Sequence, residues 1–346
     1  MAVIEATGLG KYYGDRAAVI NLSFRVEPGS VTGFLGPNGS GKSTTMRLML
    51  GLDNGDGRTT FDGIEFRAMK DPMRSVGALL EAKAFHPTRK ARNHLRLLAA
   101  ANNIPDTRVD EVMAMVGLNS VAGDKPKKFS LGMGQRLGIA AALLGDPHTL
   151  VLDEPANGLD PQGITWLRNL LKQLAGEGRS IFVSSHLLSE MALLADQLVV
   201  IGRGHLITSG SVADFIKANS RTTITVRSPD MSLLGPALAA RGAYAQPAAE
   251  GAYAISGITQ EEIGDVAHEA GARIHELMTH HATLEEAFLD VTSRSEEFVG
   301  SIQQRPSMFP PPGSWQQPPG GQWQPPPGPP PAGPPPAGPP PGGGQR

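Results

Sequence analysis

Gly36-Pro37-Asn38-Gly39-Ser40-Gly41-Lys42-Ser43-Thr44 is the stretch that decides the fold. It satisfies the pattern G-x-x-x-x-G-K-[ST] at every position. Its surroundings are those the pattern requires: an apolar strand candidate, residues 31–35, precedes it, and a helical run, residues 45–50, follows. Glycine lets the backbone curl so that successive N–H groups point inward, which makes a cradle for a polyphosphate. The helix that follows adds the positive end of its dipole. Gly36, Pro37, Asn38, Gly39, Ser40, Gly41 and Thr44 form the wall of that cradle. Lys42 is placed for β- and γ-phosphate oxygens, and the Ser43 hydroxyl for Mg²⁺.

GTPases, kinases and helicases share such a loop, and residues further along narrow the class. Thr149-Leu150-Val151-Leu152 reads as a buried strand that delivers Asp153 and Glu154 at its C-terminal end, the usual ligand edge of a parallel sheet. Asp153 suits the Mg²⁺ shell, directly or through water. Glu154, one residue on, is able to polarise a water aimed at a γ-phosphate.

The 346-residue chain allows two domains and a tail. Hydrophobic residues at 40% and charged residues at 18% describe a core-forming protein, and a net charge of −2 gives no electrostatic reason to expect nucleic acid. The absence of cysteine excludes disulfides and thiolate metal sites. Residues 1–10 hold Glu5 and no apolar run, so no secretory signal is expected there. No stretch approaches the roughly 20 apolar residues that cross a bilayer; residues 137–144 and 198–201 read as core helix and core strand.

Composition divides the chain in three. Residues 1–215 alternate β-rich apolar runs with helical patterns, an α/β domain with a largely parallel sheet and strands at 31–35, 150–152 and 181–184. Residues 220–293 predict a smaller α+β unit: strand 223–226, helix 231–241, strands 243–245 and 252–255, helix 261–268, strand 273–278 and helix 284–290. That order suggests the ferredoxin-like split βαβ arrangement. Residues 301–346 hold 18 of the chain's 30 prolines, a composition that favours a disordered, polyproline II spacer. The alternative is a docking ligand for an aromatic groove, anchored by Trp315 and Trp323. Adjacent His280 and His281 receive no role.

Other motifs, in order, make the first 215 residues resemble the ATP-binding-cassette (ABC) ATPase family. Phe129-Ser130-Leu131-Gly132-Met133, followed by Gly134-Gln135-Arg136, resembles the family's signature, and Asn157-Gly158-Leu159-Asp160 its D-loop. His186 falls where the family carries its switch histidine, Tyr13 (with Tyr12 competing) where an aromatic stacks on adenine, and Glu81 at the Q-loop position. The resemblance implies a P-loop cassette with a helical subdomain at about 86–145, contacted by separate membrane subunits. It implies a head-to-tail dimer, with a second copy or a paralogous cassette, that sandwiches two ATP molecules. Lys42, Asp153, Glu154 and His186 of one chain would hold each nucleotide, with Ser43, Glu81 and Asp153 toward Mg²⁺. Ser130 and Gly132 of the opposite chain would complete the γ-phosphate shell. The sequence departs from the family at Glu81, where glutamine is usual, and at Leu131 and Met133 of the signature. An ionised Glu81 accepts but does not donate hydrogen bonds and adds negative charge near phosphate.

Glu81, the Ser-Leu-Gly-Met signature and the C-terminal Ala282-Thr283-Leu284-Glu285-Glu286-Ala287-Phe288-Leu289 make the chain similar to exporter ATPases linked to multidrug, antibiotic or lantibiotic resistance. On that reading it works in the cytoplasm, held on the inner face of the membrane by its partner. Two alternatives compete. A soluble ABC ATPase acting on ribosomes or nucleic acid usually carries two cassettes, whereas this chain has one P-loop and a near-neutral charge. A nucleotide-gated module that senses without hydrolysing would not need both Glu154 and His186.

Overall fold

The computed structural model describes residues 3–81, 84–219, 223–248, 251–280 and 283–294. The expected tail with Trp315 and Trp323, and His281, lie outside them. In chain order the strands of the first part are β1 (Ile4–Tyr13), β2 (Arg16–Val26), β3 (Val31–Leu35), β4 (Asp56–Phe61), β5 (Val76–Leu79), β6 (Thr149–Leu152), β7 (Ser180–Ser184), β8 (Gln197–Gly202) and β9 (His205–Ser211).

Six of them form one sheet in the order β5-β6-β7-β3-β8-β9. The first five run parallel, and β9 closes the edge antiparallel. Every residue of β3, β6 and β7 is buried, as continuous apolar runs demand when both faces of a parallel sheet are covered. Because β7 separates β6 from β3, the glycine-rich loop after β3 and the acidic pair after β6 leave the same edge one strand apart.

A second, antiparallel sheet, β2-β1-β4, was not anticipated from the sequence. It packs on the first through three rings: Phe182 of β7 lies 5.2 Å from Phe24 of β2 and 4.9 Å from Phe34 of β3, centroid to centroid.

Helices α1 (Lys42–Met49), α2 (Pro72–Ser75), α3 (Ala91–Ala101), α4 (Asp106–Met115), α5 (Leu131–Leu143), α6 (Pro161–Gly176), α7 (Leu188–Leu194) and α8 (Val212–Asn219) complete this part. α3, α4 and α5 fall within the segment 86–145 expected to be helical, and Leu95, Val109, Val112 and Leu137 join one core with the sheet residues Leu35 and Leu152. Among the described residues, no helix is long and apolar enough to cross a membrane.

Beyond residue 222 the order is β10 (Thr223–Arg227), α9 (Met231–Ala240), β11 (Tyr244–Pro247), β12 (Tyr253–Ser256), α10 (Gln260–Glu269), β13 (Glu276–His280) and α11 (Leu284–Arg294). The sheet order β11-β12-β10-β13 with every pairing antiparallel is that of the split βαβ arrangement. Ile224, Val226, Leu234, Leu238, Ile255 and Ile263 form a core of their own. Three strands start later than the sequence suggested, β12 by one residue at Tyr253. Ala243 donates its N–H to Leu238 O and so closes the end of α9, which moves β11 to 244. The Arg273 amide goes to the Asp230 carboxylate at 3.0 Å, so β13 begins only at Glu276. α11 buries Leu284, Ala287 and Phe288 in the main core with Phe215 of α8.

Candidate functional site

The loop after β3 turns on two left-handed glycines, Gly39 at φ 80° and Gly41 at φ 107°, before α1 begins at Lys42. A Cβ on Gly41 would stand 2.4 Å from the Ala18 carbonyl oxygen, and one on Gly36 2.5 Å from both Ile201 O and Ser40 Oγ. Neighbouring backbone therefore presses on the loop from β2 and β8. Lys42 is only 7% exposed, and its ammonium donates to Gly36 O at 2.7 Å and Pro37 O at 3.3 Å. Burial lowers its pKa, while the carboxylates of Glu154 and Asp153 act in the opposite direction.

A cavity of about 440 Å³ opens here, lined by Asn38, Gly39, Gly41, Lys42, Ser43 and Thr44 from the loop and α1, by Asp153 and Glu154 from the end of β6, and by Tyr13, Arg16 and Ala18 from the β1–β2 hairpin. The sheet order brings loop and acidic pair together, and the hairpin supplies the third wall. Tyr13 is 52% exposed. Its hydroxyl donates to Asp53 Oδ2 at 3.1 Å, and Asp53 is held below the usual carboxylate range by its hydrogen bonds from Arg47, with Tyr13 adding to the effect. Tyr12 does not line the cavity.

Glu154 has a φ of 49°, a left-handed conformation uncommon for a non-glycine residue and worth a functional explanation. Its Oε2 lies 2.6 Å from His186 Nδ1 and accepts from the His186 amide at 3.3 Å. His186 stands beyond the end of β7, so the adjacency of β6 and β7 makes this pair. Ser184, the last residue of β7, donates to the Asp153 carboxylate and accepts from the Glu154 amide. Gln135 Nε2 of α5 donates to Glu154 O at 3.1 Å.

Four of the sequence-derived residues, Ser130, Gly132, Asp160 and Glu81, stand apart from this cavity within the chain. Ser130 caps α5, its Oγ accepting from Met133 N at 3.2 Å, and lines a separate cavity with Phe85, Pro87 and Phe129. Gly132 packs against the D-loop, where a Cβ would stand 2.8 Å from Gly158 O. Asp160 caps α6, accepting from Gly163 N at 2.8 Å. Glu81 is exposed just past β5 and does not line the cavity.

Arg16, Ser184 and Gln135 went unassigned in the sequence reading. A hydroxyl at the C-terminal end of a strand two residues before His186 was the available signal for Ser184. Gln135, a polar residue inside an apolar helix, was the signal for a buried partner. Arg16 left none, since its place depends on the unanticipated hairpin.

A phosphate-type loop on the central strand, an acidic pair on the neighbouring edge and a helical insert define a P-loop ATPase cassette. Residues 19–157 match the family model described as ABC transporter, and residues 222–285 match a domain of unknown function. The chain is 43% identical over 213 residues to the bacitracin transport ATP-binding protein of Bacillus licheniformis, covering 59% of this chain and 68% of that one. It is 35% identical over 206 residues to the lantibiotic transport ATP-binding protein of Streptococcus pyogenes, covering 59% and 89%. Among solved structures, a dimeric post-hydrolysis ATP-binding cassette bound to ADP and Pi superposes with a TM-score of 0.55 at 23% identity, covering 60% of this chain and 98% of that one. The chain belongs to the ATP-binding subunits of ABC transporters and is an ATPase of that family.

Proposed function

We propose that this chain is the motor of an exporter for antibiotic or lantibiotic-type peptides, acting on membrane subunits encoded elsewhere. The likeness to bacitracin and lantibiotic transport proteins carries that reading. The site supports the chemistry: Lys42, Ser43, Asp153 and Glu154 line one cavity, and Glu154 holds His186.

In the mechanism, loop N–H groups and the start of α1 bind the β- and γ-phosphates, and the Lys42 ammonium exchanges its loop carbonyls for phosphate oxygen. Tyr13 stacks on adenine. Glu154 accepts a hydrogen bond from the attacking water and orients it along the line of displacement, while His186 fixes the Glu154 carboxylate. The Ser43 hydroxyl and Asp153 carboxylate, hard oxygen donors in one cavity, would hold Mg²⁺, which would neutralise polyphosphate charge; Glu81 is a further oxygen donor on this reading. Ser130 and Gly132 stand away from their own chain's cavity, a placement that suits closure over the nucleotide of a second cassette, with Asp160 beside that interface. The γ-phosphate then holds two cassettes together, and its loss releases them.

On this reading residues 1–215 are the cassette, 220–293 an accessory domain and 301–346 a spacer. The cassette sits on the cytoplasmic face of the membrane through its partner. Purifying the tagged chain from detergent extracts tests it: an integral-membrane polypeptide should co-purify, and deletion of the gene should sensitise cells to a peptide antibiotic. Ribosomal proteins in its place would overturn the exporter and favour a soluble ATPase.

A further inference from the structure

The main chain of Glu154 is gripped from two sides. Its N–H donates to Ser184 Oγ at 2.9 Å, and its C=O accepts from Gln135 Nε2 at 3.1 Å. Ser184 is 0% and Gln135 1% exposed, so neither bond competes with bulk water. A serine hydroxyl has one proton. With that proton on the Asp153 carboxylate, the oxygen is left to accept from Glu154, and the two bonds agree in only this direction. Gln135 is oriented with equal definition. Turning its amide over would set Oε1 against the Glu154 carbonyl oxygen, two acceptors with no proton between them. In its observed orientation Gln135 Oε1 has no partner among the described residues, a buried orphan that an apolar side chain would avoid. The Nε2 bond to Glu154 is what that cost secures.

The residue so gripped is the one held at φ 49°, a conformation that persists only where surroundings over-determine it. Released, the peptide would relax toward the ordinary right-handed or extended regions and swing the carboxylate off His186. Nothing in the loop around Lys42 would need to change.

We propose that Ser184 and Gln135 are positioning residues, a two-sided main-chain clamp that keeps Glu154 left-handed and its carboxylate on His186 at the cavity. The inference rests on Glu154 being the group that orients the attacking water. It requires turnover and nucleotide affinity to separate.

The test measures ATP turnover by the full chain with its co-purifying membrane subunit, and equilibrium binding of a fluorescent ATP analogue, for Ser184→Ala, Ser184→Thr, Gln135→Leu and Glu154→Gln. Ser184→Ala and Gln135→Leu should each lower kcat about tenfold or more, the scale of a lost hydrogen bond at a charged centre, with Kd within about twofold of wild type. Ser184→Thr, which keeps the hydroxyl, should recover at least half of kcat. Equal losses in kcat and Kd, no loss at all, or no recovery with threonine would each overturn the clamp. If Ser184→Ala does not fold, Ser184→Thr and Gln135→Leu still decide. Rapid hydrolysis by Glu154→Gln would instead sink the underlying reading, whereas an inactive Glu154→Gln beside a fully active Ser184→Ala would sink only the clamp.

Discussion

Three glycines of the phosphate loop separate two physical effects that a methyl group can have. Gly39 has φ 80° and nothing within 4 Å of an added Cβ, so Gly39→Ala introduces backbone strain alone, about 1–2 kcal/mol. Gly36 needs no positive φ, but its Cβ would meet Ile201 O and Ser40 Oγ at 2.5 Å, so Gly36→Ala introduces overpacking alone, about 1–3 kcal/mol. Gly41 combines both, with φ 107° and the Ala18 carbonyl oxygen at 2.4 Å; the two contributions sum to about 2–5 kcal/mol. The loop of each variant relaxes away from the cradle, and nucleotide must draw it back, so the strain reappears as lost affinity. Titration with a fluorescent ATP analogue should place Gly39→Ala at about 5–30-fold weaker binding and Gly41→Ala at about thirtyfold or beyond, with Gly36→Ala between. Far-ultraviolet circular dichroism should show all three folded. If Gly41→Ala binds as tightly as Gly39→Ala, the contact with Ala18 does not constrain the cradle and the reasoning fails.

Other substitutions read other parts of the molecule. Lys42→Ala should lose both nucleotide binding and turnover, since no other lysine among the described residues lines the cavity; retained affinity in the same titration would contradict the role given to Lys42. Phe182→Ala removes a fully buried ring that touches Phe24 and Phe34 and should destabilise by about 3–5 kcal/mol, read as a lower urea midpoint. His94 is buried against Phe85, and burial, aided by Arg89, lowers its pKa below the ordinary 6.5. The folded state therefore binds fewer protons than the unfolded one, and stability falls as pH drops below about 6.5. His94→Leu should flatten that decline in urea titrations between pH 7 and about 5, and an unchanged slope would show that His94 is not its source.

Much of the site was legible because its chemistry is local in sequence. The loop from Gly36 to Thr44 contains its own strand-to-helix context, and Asp153 and Glu154 follow a strand whose apolar run announces burial. The β1–β2–β4 sheet was not legible in the same way. Its strands carry exposed residues along one face and Gly8 and Gly10 in mid-strand, which blurs alternation, and with it went the placement of Arg16. Ser184 and Gln135 escaped for a different reason: their partners lie 30 and 19 residues away in Glu154, and only the sheet order brings them within reach. In the C-terminal part the elements were foreseen and three strand starts were not; two of them move because Ala243 and Arg273 spend their amides on a helix end and on Asp230.

The most direct test of two cassettes closing over ATP uses Glu154→Gln with ATP and Mg²⁺ in size-exclusion chromatography with light scattering. A stable dimer that retains unhydrolysed nucleotide and falls apart with ADP is expected. A monomer that turns ATP over at the wild-type rate would contradict it.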